Sequence, residues 1–311
     1  MAKSLKITAL GGGHGLAATL QALRSLDVDI TAIVTVADNG GSSGRLRDEF
    51  NSLPPGDLRM ALAALCGDDV WGKSWAEIMQ YRFTSSGEMN GHALGNLLLT
   101  ALWDRESDPV VGLDRVGALL KVVGRVLPMS LEPLEIEADF ADGKRVRGQV
   151  EVGNYRGDLV DIWIIPEQPK PTPDAVAAIQ DAQWITLGPG SWFSSVMPHL
   201  LVRDQRESIL RSKAKRLVLL NLDDPVGDEL AGTSPMHHLD VIARFAPELR
   251  LDVVLADSSV ARYGSALGEK ASEMGAKLVL WDLAHSERRN YHDSEKLALA
   301  FRHIFEQESV R

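Results

Sequence analysis

Cysteine is almost absent from this sequence, which contains Cys66 and no other thiol. A single thiol excludes an internal disulfide and any zinc site built from several cysteines. This composition is typical of a reducing compartment, so we expect a cytoplasmic location. Cys66 lies in an apolar stretch and is interpreted as a core residue.

Long apolar runs and an excess of basic residues are also missing. No run approaches the roughly 18 apolar residues of a membrane-spanning helix, and residues 1–10 do not resemble a signal peptide. Asp and Glu number 43 against 33 Lys and Arg, which gives a formal net charge of −10. Nucleic acids and anionic membranes need clustered Lys and Arg. We therefore expect no nucleic-acid partner and no membrane insertion, and any phosphate site must be local.

The first part of the chain predicts a βαβ unit. Residues 5–10 form an apolar run that ends in a glycine cluster, after which leucines recur at helical spacing. Residues 29–36 are nearly all apolar and rich in β-branched side chains, as in a strand covered on both faces. Helices are predicted at 57–65, with Asp57 as a candidate N-cap, and at 114–126.

The second part of the chain continues this alternation. Strands are predicted at 184–187, 216–220, 251–256 and 277–281. Strands alternating with helices predict an α/β fold with a doubly wound parallel sheet, whose ligand crevice lies at the carboxyl ends of the strands.

The segment between the two parts has a different hydrophobicity pattern, which predicts a β-rich insertion. Residues 134–140 and 145–152 alternate in hydrophobicity around a turn at 141–144, which is a hairpin signal. Four prolines in 166–173 predict a stiff connector. The predicted organisation is residues 1–127 as the first half of the main domain, 128–172 as insertion and connector, and 173–311 as the second half.

Three glycine-rich turns follow predicted strands. In the first, Gly13 and Gly15 satisfy the G-x-G-x-x-A pattern beside Gly12, and Asp38 follows the next strand, where a ribose-binding acid would lie. Small residues let the backbone approach a pyrophosphate at a helix N-terminus. The alternatives are a dinucleotide-binding dehydrogenase and a plain tight turn that packs helix on strand.

The second turn is a polar loop that is rich in hydrogen-bond donors. Such a loop suits a ligand with more charge or length than a plain ribose, such as a nucleoside diphosphate sugar; the alternative is a mobile surface loop. Its candidate ligand-binding residues, with two that follow it, are Asp38, Asn39, Gly41, Ser42, Ser43, Arg45, Asp57 and Arg59.

The third turn contains Gly188, Gly190 and Ser191, and Asn221 follows the next predicted strand. The pair at positions 223 and 224, both aspartates, could add polar groups to the same rim. Since loops at the carboxyl ends of parallel strands face one crevice, all three turns are predicted to surround one ligand.

His92 and Asn96 are predicted near the start of a helix. An imidazole beside a phosphate could act as acid, base or donor, or it could simply anchor the turn, so His92 is only a candidate and no catalytic residue is assigned. Asp38 and Asp57 could share a magnesium ion, which takes one or two carboxylates plus ligand phosphates.

Five segments resemble a known family. They are LGGGHGL at 10–16, TVADNGGSSGRLR at 35–47, LPPGDLR at 53–59, GHALGNLL at 91–98 and LGPGSWFSSVMPHLL at 187–201. Their order and sequence resemble the gluconeogenesis factor family, the YvcK-like branch of the CofD-like superfamily. This resemblance implies a Rossmann-like, doubly wound, mostly parallel sheet with a small β-rich inserted lobe, in the bacterial cytoplasm.

The resemblance also implies a function. Members of that branch are regarded as regulators that bind UDP-sugars, chiefly UDP-N-acetylglucosamine, and that control cell shape and cell-wall precursors during gluconeogenic growth. No cofactor would then be required. We expect a UDP-sugar or other nucleoside diphosphate ligand and an unidentified regulatory protein partner, and we leave homo-oligomerisation open.

The sister branch gives the competing hypothesis. Its members are 2-phospho-L-lactate transferases, which move 2-phospholactate from a nucleoside diphosphate to a deazaflavin precursor with magnesium. An acid stands there at the position of Asn39, and an amide neither accepts a proton nor holds a metal well. His14 stands where the family more often has threonine. A third hypothesis, a dehydrogenase, requires NAD binding.

Overall fold

The structure is a computed structural model that describes residues 4–106, 108–222 and 234–309. Within these residues, seven parallel strands form the main sheet and three antiparallel strands form a smaller one. The strands are β1 Leu5–Gly11, β2 Val28–Val34, β3 Arg125–Pro128, β4 Glu135–Phe140, β5 Arg145–Arg147, β6 Leu159–Ile165, β7 Trp184–Leu187, β8 Lys215–Leu219, β9 Val253–Asp257 and β10 Lys277–Trp281.

Helices fill most of the connections between the strands. They are α1 Gly13–Arg24, α2 Gly41–Phe50, α3 Pro55–Ala64, α4 Val70–Gln80, α5 Leu94–Arg105, α6 Pro109–Leu120, α7 Gln149–Asn154, α8 Pro173–Asp181, α9 Pro198–Leu201, α10 Arg203–Arg211, α11 Met236–Phe245, α12 Gly264–Glu273 and α13 Ser294–Ser309. A π-helical turn covers Trp192–Val196, and a 3₁₀ turn covers Ser258–Tyr263. None of the helices that the structure describes is both long and apolar enough to cross a membrane.

The main sheet has the order β10-β9-β8-β7-β1-β2-β3. From its centre, β1 to β3 follow one another toward one edge and β7 to β10 toward the other, so the direction of winding reverses between β1 and β7. Such a reversal leaves a crevice outside the carboxyl ends of the two central strands. The predicted doubly wound parallel sheet is confirmed, as is the smaller β-rich sheet.

Helices cover both faces of the main sheet, and this explains the unbroken apolar strands. Helix α1 packs against α3 and α13, and α8 packs against α10. Leu10, Ile33 and Leu219 are completely buried. Each such side chain contributes about 1.5–3 kcal/mol of hydrophobic free energy relative to exposure.

The predicted helix at 114–126 was wrong in its second half. Helix α6 ends at Leu120, Lys121 takes the left-handed conformation with φ 55°, and Gly124 has φ 113°. A backbone with positive φ at two positions cannot continue a right-handed helix. The chain therefore turns back and forms β3 beside β2.

Most of the predicted polar loop is a helix. α2 begins at Gly41, and the Ser42 and Ser43 side chains are buried. Asp57 is also not an N-cap, because α3 begins at Pro55 and Pro54 occupies the cap position. Proline is well suited to the first position of a helix, where the missing N–H has no intrahelical partner.

The hairpin prediction is confirmed in part. β4 and β5 pair antiparallel through Asp139 and Arg145, as predicted, and β6 pairs with the other side of β4. The second strand, however, ends at Arg147 instead of continuing to residue 152. Gly148 has φ 106°, which turns the chain into α7.

Candidate functional site

A cavity of about 720 Å³ opens at the carboxyl ends of β1 and β7, where the winding of the main sheet reverses. The first and third glycine turns form its base, and Asp38 and Asp57 face it. Its lining comprises Gly12, Gly13, His14, Gly15, Ala17, Ala18, Gln21, Thr35, Asp38, Asp57, Met60, Gln80, Gln149, Pro189, Gly190, Ser191, Ser194, Ser195, Asn221, Leu222, Arg288, Asn290, Tyr291 and His292.

The first turn brings the N-terminus of α1 to the cavity. Gly12 is the N-cap and offers no side chain to the free N–H groups of the first helical turn. A Cβ on Gly12 would lie 2.5 Å from the Asp57 carboxylate and from the methyl group of Thr35. Only glycine fits there, so the backbone and the positive end of the helix dipole reach the cavity beside Asp57, which accepts a hydrogen bond from the Gly13 N–H.

The third turn packs directly on the first. A Cβ on Gly15 would overlap the carbonyl oxygen of Pro189. Asn221, just after β8, accepts a hydrogen bond from the Gly190 N–H and donates one to the Gly190 carbonyl, each at 2.9 Å. The turn is thus fixed from both sides.

Two carboxylates face the cavity between these turns. Asp38 accepts a hydrogen bond from the Gly40 N–H at 2.8 Å. Burial and the nearby charge of Asp38 raise the pKa of Asp57 to about 7, although the Gly13 N–H and Arg59 act in the opposite direction. The described residues contain no cluster of three or more His, Cys, Asp and Glu that could hold a metal. A magnesium ion here would need ligand phosphates to complete its coordination.

Arg59 is the buried cation beside these acids. Its side chain is only 2% exposed, and its Nε donates to the Asn96 Oδ1 at 2.8 Å. Its Nη1 is buried and has no hydrogen-bond partner in the described structure. Burial lowers its pKa to about 10, as does the charge of Arg82, against the attraction of Asp57 and Asp38. A guanidinium that remains charged, with one nitrogen lacking a partner, favours an anionic ligand nearby.

The serines of the second turn do not line the cavity; they lie behind its lining and form hydrogen bonds that hold this wall of the site together. The Ser42 hydroxyl accepts from Asn96 Nδ2 and contacts His92 Nδ1, both at 3.0 Å. The Ser43 hydroxyl accepts from the Gly56 N–H, also at 3.0 Å. The structure thus joins the second turn to the His92 segment through a buried network.

The remaining polar side chains of this region also have partners within the chain. Arg45 donates to the carbonyl oxygens of Glu88 and Asn90 at 2.9 Å. Burial, and next the charge of Arg45, lower the pKa of His92, so the imidazole is neutral at pH 7. Asn39 contacts Val150 and Glu151 of the inserted lobe.

Several predicted site residues therefore line the cavity, and others lie behind it. The lining includes Gly12, Gly13, Gly15, Asp38, Asp57, Gly190, Ser191 and Asn221, whereas it does not include Asn39, Gly41, Ser42, Ser43, Arg45, Arg59, His92, Asn96 and Gly188. The predicted aspartates at 223 and 224 lie outside the described residues. The roles of all these predicted site residues in ligand binding stay predictions.

Sequence reasoning missed several parts of the lining, among them Gln80 at the end of α4 and two parts that come from distant segments. Gln149 comes from the inserted lobe and donates to the Ser194 hydroxyl at 3.2 Å. The segment 288–292 crosses from β10 to α13 and places Tyr291 edge-on to His14, with 6.4 Å between the ring centres. The polar, turn-rich composition of 285–293 was the available signal, since such loops at strand ends carry sites.

His292 is a buried, neutral imidazole within this segment. Burial lowers its pKa to about 4, so the ring is neutral at pH 7. Its Nε2 is buried and has no hydrogen-bond partner among the described residues.

Comparison with known proteins places this chain in a well-populated group. The CofD family model, described as 2-phospho-L-lactate transferase CofD, matches residues 7–296. A Mycobacterium leprae protein called "Putative gluconeogenesis factor" is 45% identical over 304 residues, which cover 94% of this chain and 84% of that protein. The Bacillus subtilis protein called "Gluconeogenesis factor" is 37% identical over 237 residues, covering 76% of this chain and 74% of that protein.

A solved structure agrees with the fold. A member of the UPF0052 family from Bacillus halodurans superposes with a TM-score of 0.86 at 31% identity, covering 96% of this chain and 99% of that one. The predicted resemblance to the gluconeogenesis factor family is confirmed.

Proposed function

Because the chain belongs to the CofD family, and its relatives are named gluconeogenesis factors, we propose that it is a regulator that binds a nucleoside diphosphate sugar of the UDP-N-acetylglucosamine type. The observation that supports this most is the cavity at the carboxyl ends of the central strands β1 and β7. The N-terminus of α1, where the N-cap Gly12 offers no side chain, lines this cavity, and the buried Arg59 lies behind its wall. The volume of about 720 Å³ suits a ligand of nucleotide-sugar size.

Each part of the ligand has a partner in the proposed arrangement. The diphosphate lies at the first and third turns, where backbone N–H groups and the helix dipole favour negative charge. Arg59 compensates that charge from behind the wall. Asp38 accepts hydrogen bonds from ribose or sugar hydroxyl groups. This arrangement requires no cofactor.

The biological setting is part of the same proposal. Binding of a cell-wall precursor would let the protein report precursor supply to a regulatory partner and so influence cell shape during growth on gluconeogenic carbon sources. We place this function in the bacterial cytoplasm.

Calorimetry with UDP-N-acetylglucosamine, UDP-glucose, GDP and NAD tests the proposal. We expect both UDP-sugars to bind in preference to GDP and NAD. Ala18→Phe, which extends a cavity-lining side chain of α1, should abolish binding, while Ala243→Phe on α11, which is similarly half-buried but outside the lining, should not. Failure of both UDP-sugars to bind would refute the proposal.

A second candidate is a phospholactyl transferase, which the family description favours. Asp38 and Asp57 would then hold magnesium with the ligand phosphates, and His92 would serve as donor from behind the wall. This hypothesis predicts release of a nucleoside monophosphate when a nucleoside diphosphate whose β-phosphate carries lactate and a deazaflavin acceptor are supplied with magnesium, because the acceptor hydroxyl takes the β-phosphate together with the lactate. It also predicts faster turnover for Asn39→Asp; no turnover by either protein would exclude it.

A further inference from the structure

Both ends of the Asn39 side chain are engaged by the inserted lobe. Its Oδ1 accepts a hydrogen bond from the Val150 N–H at 3.0 Å, and its Nδ2 donates to the Glu151 carboxylate at 2.9 Å. These partners lie 111 and 112 residues further along the chain. One amide group thus joins the segment after β2 to the start of α7.

The first of these bonds caps a helix from a distance. Val150 is the second residue of α7, so its N–H has no partner within the helix. The local N-cap is Gly148, which has no side chain to accept that hydrogen bond. Asn39 therefore supplies from the main domain what a capping side chain normally supplies from the adjacent residue.

Gly148 leaves the space in which this contact forms. A Cβ at that position would overlap the Glu151 carboxylate and lie 2.7 Å from the Asn39 Nδ2. Its φ of 106° also favours glycine. The bend between β5 and α7 is thus compatible with the Asn39 contact only when residue 148 has no side chain.

The same helix forms one wall of the cavity. Gln149, the first residue of α7, lines the cavity and donates to the Ser194 hydroxyl at 3.2 Å. On the opposite side, a Cβ on Gly40 would lie 3.0 Å from a Val150 methyl group. Asn39 and Ser194 therefore hold the start of α7 between two strand-end loops of the main domain.

We propose that Asn39 is a positioning residue. Its two hydrogen bonds to Val150 and Glu151, here called the clasp, hold the inserted lobe and so position the α7 wall of the ligand cavity. The clasp requires one side chain that accepts from a backbone N–H and donates to a carboxylate, and the amide of asparagine does both with two separate atoms. An aspartate would still accept from Val150, but it would face Glu151 with a like charge at hydrogen-bond distance. The clasp is independent of the ligand, whereas its effect on affinity rests on the proposed function.

A double-mutant cycle tests the clasp. Asn39→Asp should raise hydrogen exchange of the amides in 149–154 and weaken UDP-N-acetylglucosamine binding about tenfold, because it combines loss of a hydrogen bond with like-charge repulsion. Glu151→Gln alone should change neither, since glutamine still accepts from Asn39. The double variant should recover both properties, because the amide introduced at position 151 can donate to the carboxylate introduced at position 39.

One further variant controls for the added charge, and another disturbs the same contact sterically. Asn51→Asp makes the same charge change at an exposed position after α2, and it should leave exchange in 149–154 unchanged. Gly148→Ala should raise that exchange without any change of charge, because its methyl group occupies the space of the clasp and its φ of 106° favours glycine; the double-mutant cycle therefore decides on the clasp.

The outcomes distinguish this inference from the proposed function. If Asn39→Asp weakens binding while exchange in 149–154 stays unchanged, or if Glu151→Gln fails to rescue it, Asn39 does not act through α7 and the inference is overturned. If no variant, nor the unmodified protein, binds UDP-N-acetylglucosamine, the proposed function fails and the exchange data alone decide on the clasp.

Discussion

At the scale of the residue, Gly15 shows how closely the two main turns of the site approach each other. The hydrogen on its Cα is all that separates α1 from the backbone of Pro189. Packing of this kind allows no side chain, and the obstacle is backbone that cannot rotate away.

Gly15→Ala is therefore expected to be strongly destabilising. A methyl group overlapping a carbonyl oxygen must displace one of the two turns, at a cost of about 1–3 kcal/mol or more. Urea unfolding measures the change. Gly87→Ala is the control, because a Cβ there meets nothing within 4 Å and should leave stability nearly unchanged. Equal stability of the two variants would show that the two turns do not pack this closely.

At the same scale, Asp57 is expected to make the free energy of unfolding depend on pH. Its folded-state pKa of about 7 lies above the ordinary 3.8, so the folded protein holds this proton more tightly than the unfolded chain. The resulting stabilisation is complete below pH 3.8 and is lost as the pH rises toward 7. Asp57→Asn removes this dependence, while its amide oxygen can still accept from Gly13.

Unfolding by urea between pH 5 and pH 8, with a chelator present, measures that effect. The free energy of unfolding of the unmodified protein should fall relative to that of Asp57→Asn as the pH rises. Parallel curves for the two proteins would show that Asp57 ionises normally.

At the scale of the element, one carboxylate connects the end of α13 to two strands of the main sheet. Glu308 near the end of α13 accepts from Lys215 of β8 at 2.8 Å and from Lys277 of β10 at 2.7 Å. Hydrogen bonds from Lys215 and then Lys277 lower the pKa of Glu308 to about 2.

Glu308→Gln should reduce the free energy of unfolding by about 1 kcal/mol at pH 7, because it removes the charge from two ion pairs. The depressed pKa means that the contribution is present above the ordinary glutamate value of 4.5 and is lost as the pH falls toward 2. The difference between the two proteins should therefore shrink below pH 4.5. Glu306→Gln, at an exposed position of the same helix, is the control, and a difference that persists at low pH would argue against the pairs.

At the scale of the whole molecule, the inserted lobe interrupts one sheet that both halves of the chain share. β1 and β7 are central neighbours, and their pairing runs from Ile7 with Trp184 to Leu10 with Leu187. Neither half has its own complete core, because each contributes one side of this central pair.

Fragments 1–127 and 173–311 should therefore not fold separately. Each alone exposes an unpaired, apolar central strand, which favours aggregation over a stable fold. Circular dichroism should show no cooperative thermal transition for either fragment, and a transition should return when the two are expressed together. Cooperative unfolding of one fragment by itself would indicate that it is an independent domain.

Local patterns determined much of the fold. The strands at 184–187 and 277–281 coincide with the observed β7 and β10, because each is a short apolar run between turn residues; β7 is fully buried, whereas β10, at the edge of the sheet, is mostly half-buried. The first and third glycine turns were likewise predictable, since a strand, a glycine cluster and a helix follow one another along the chain. Boundaries that depend on positive φ, such as the end of α6, could not be predicted from periodicity.

The sequence by itself determined the α/β class, the parallel sheet and two turns of the site, because periodicity and glycine placement are local properties of the chain. Only the tertiary structure decided that Ser42 and His92 form a wall and that Asn39 holds α7. It also decided that Gln149 and the segment 288–292 complete the cavity. The Ser42–His92 and Asn39–Glu151 contacts join residues 50 and 112 positions apart. Their pairing follows from how the two halves of the sheet and the inserted lobe pack, and no local pattern records it.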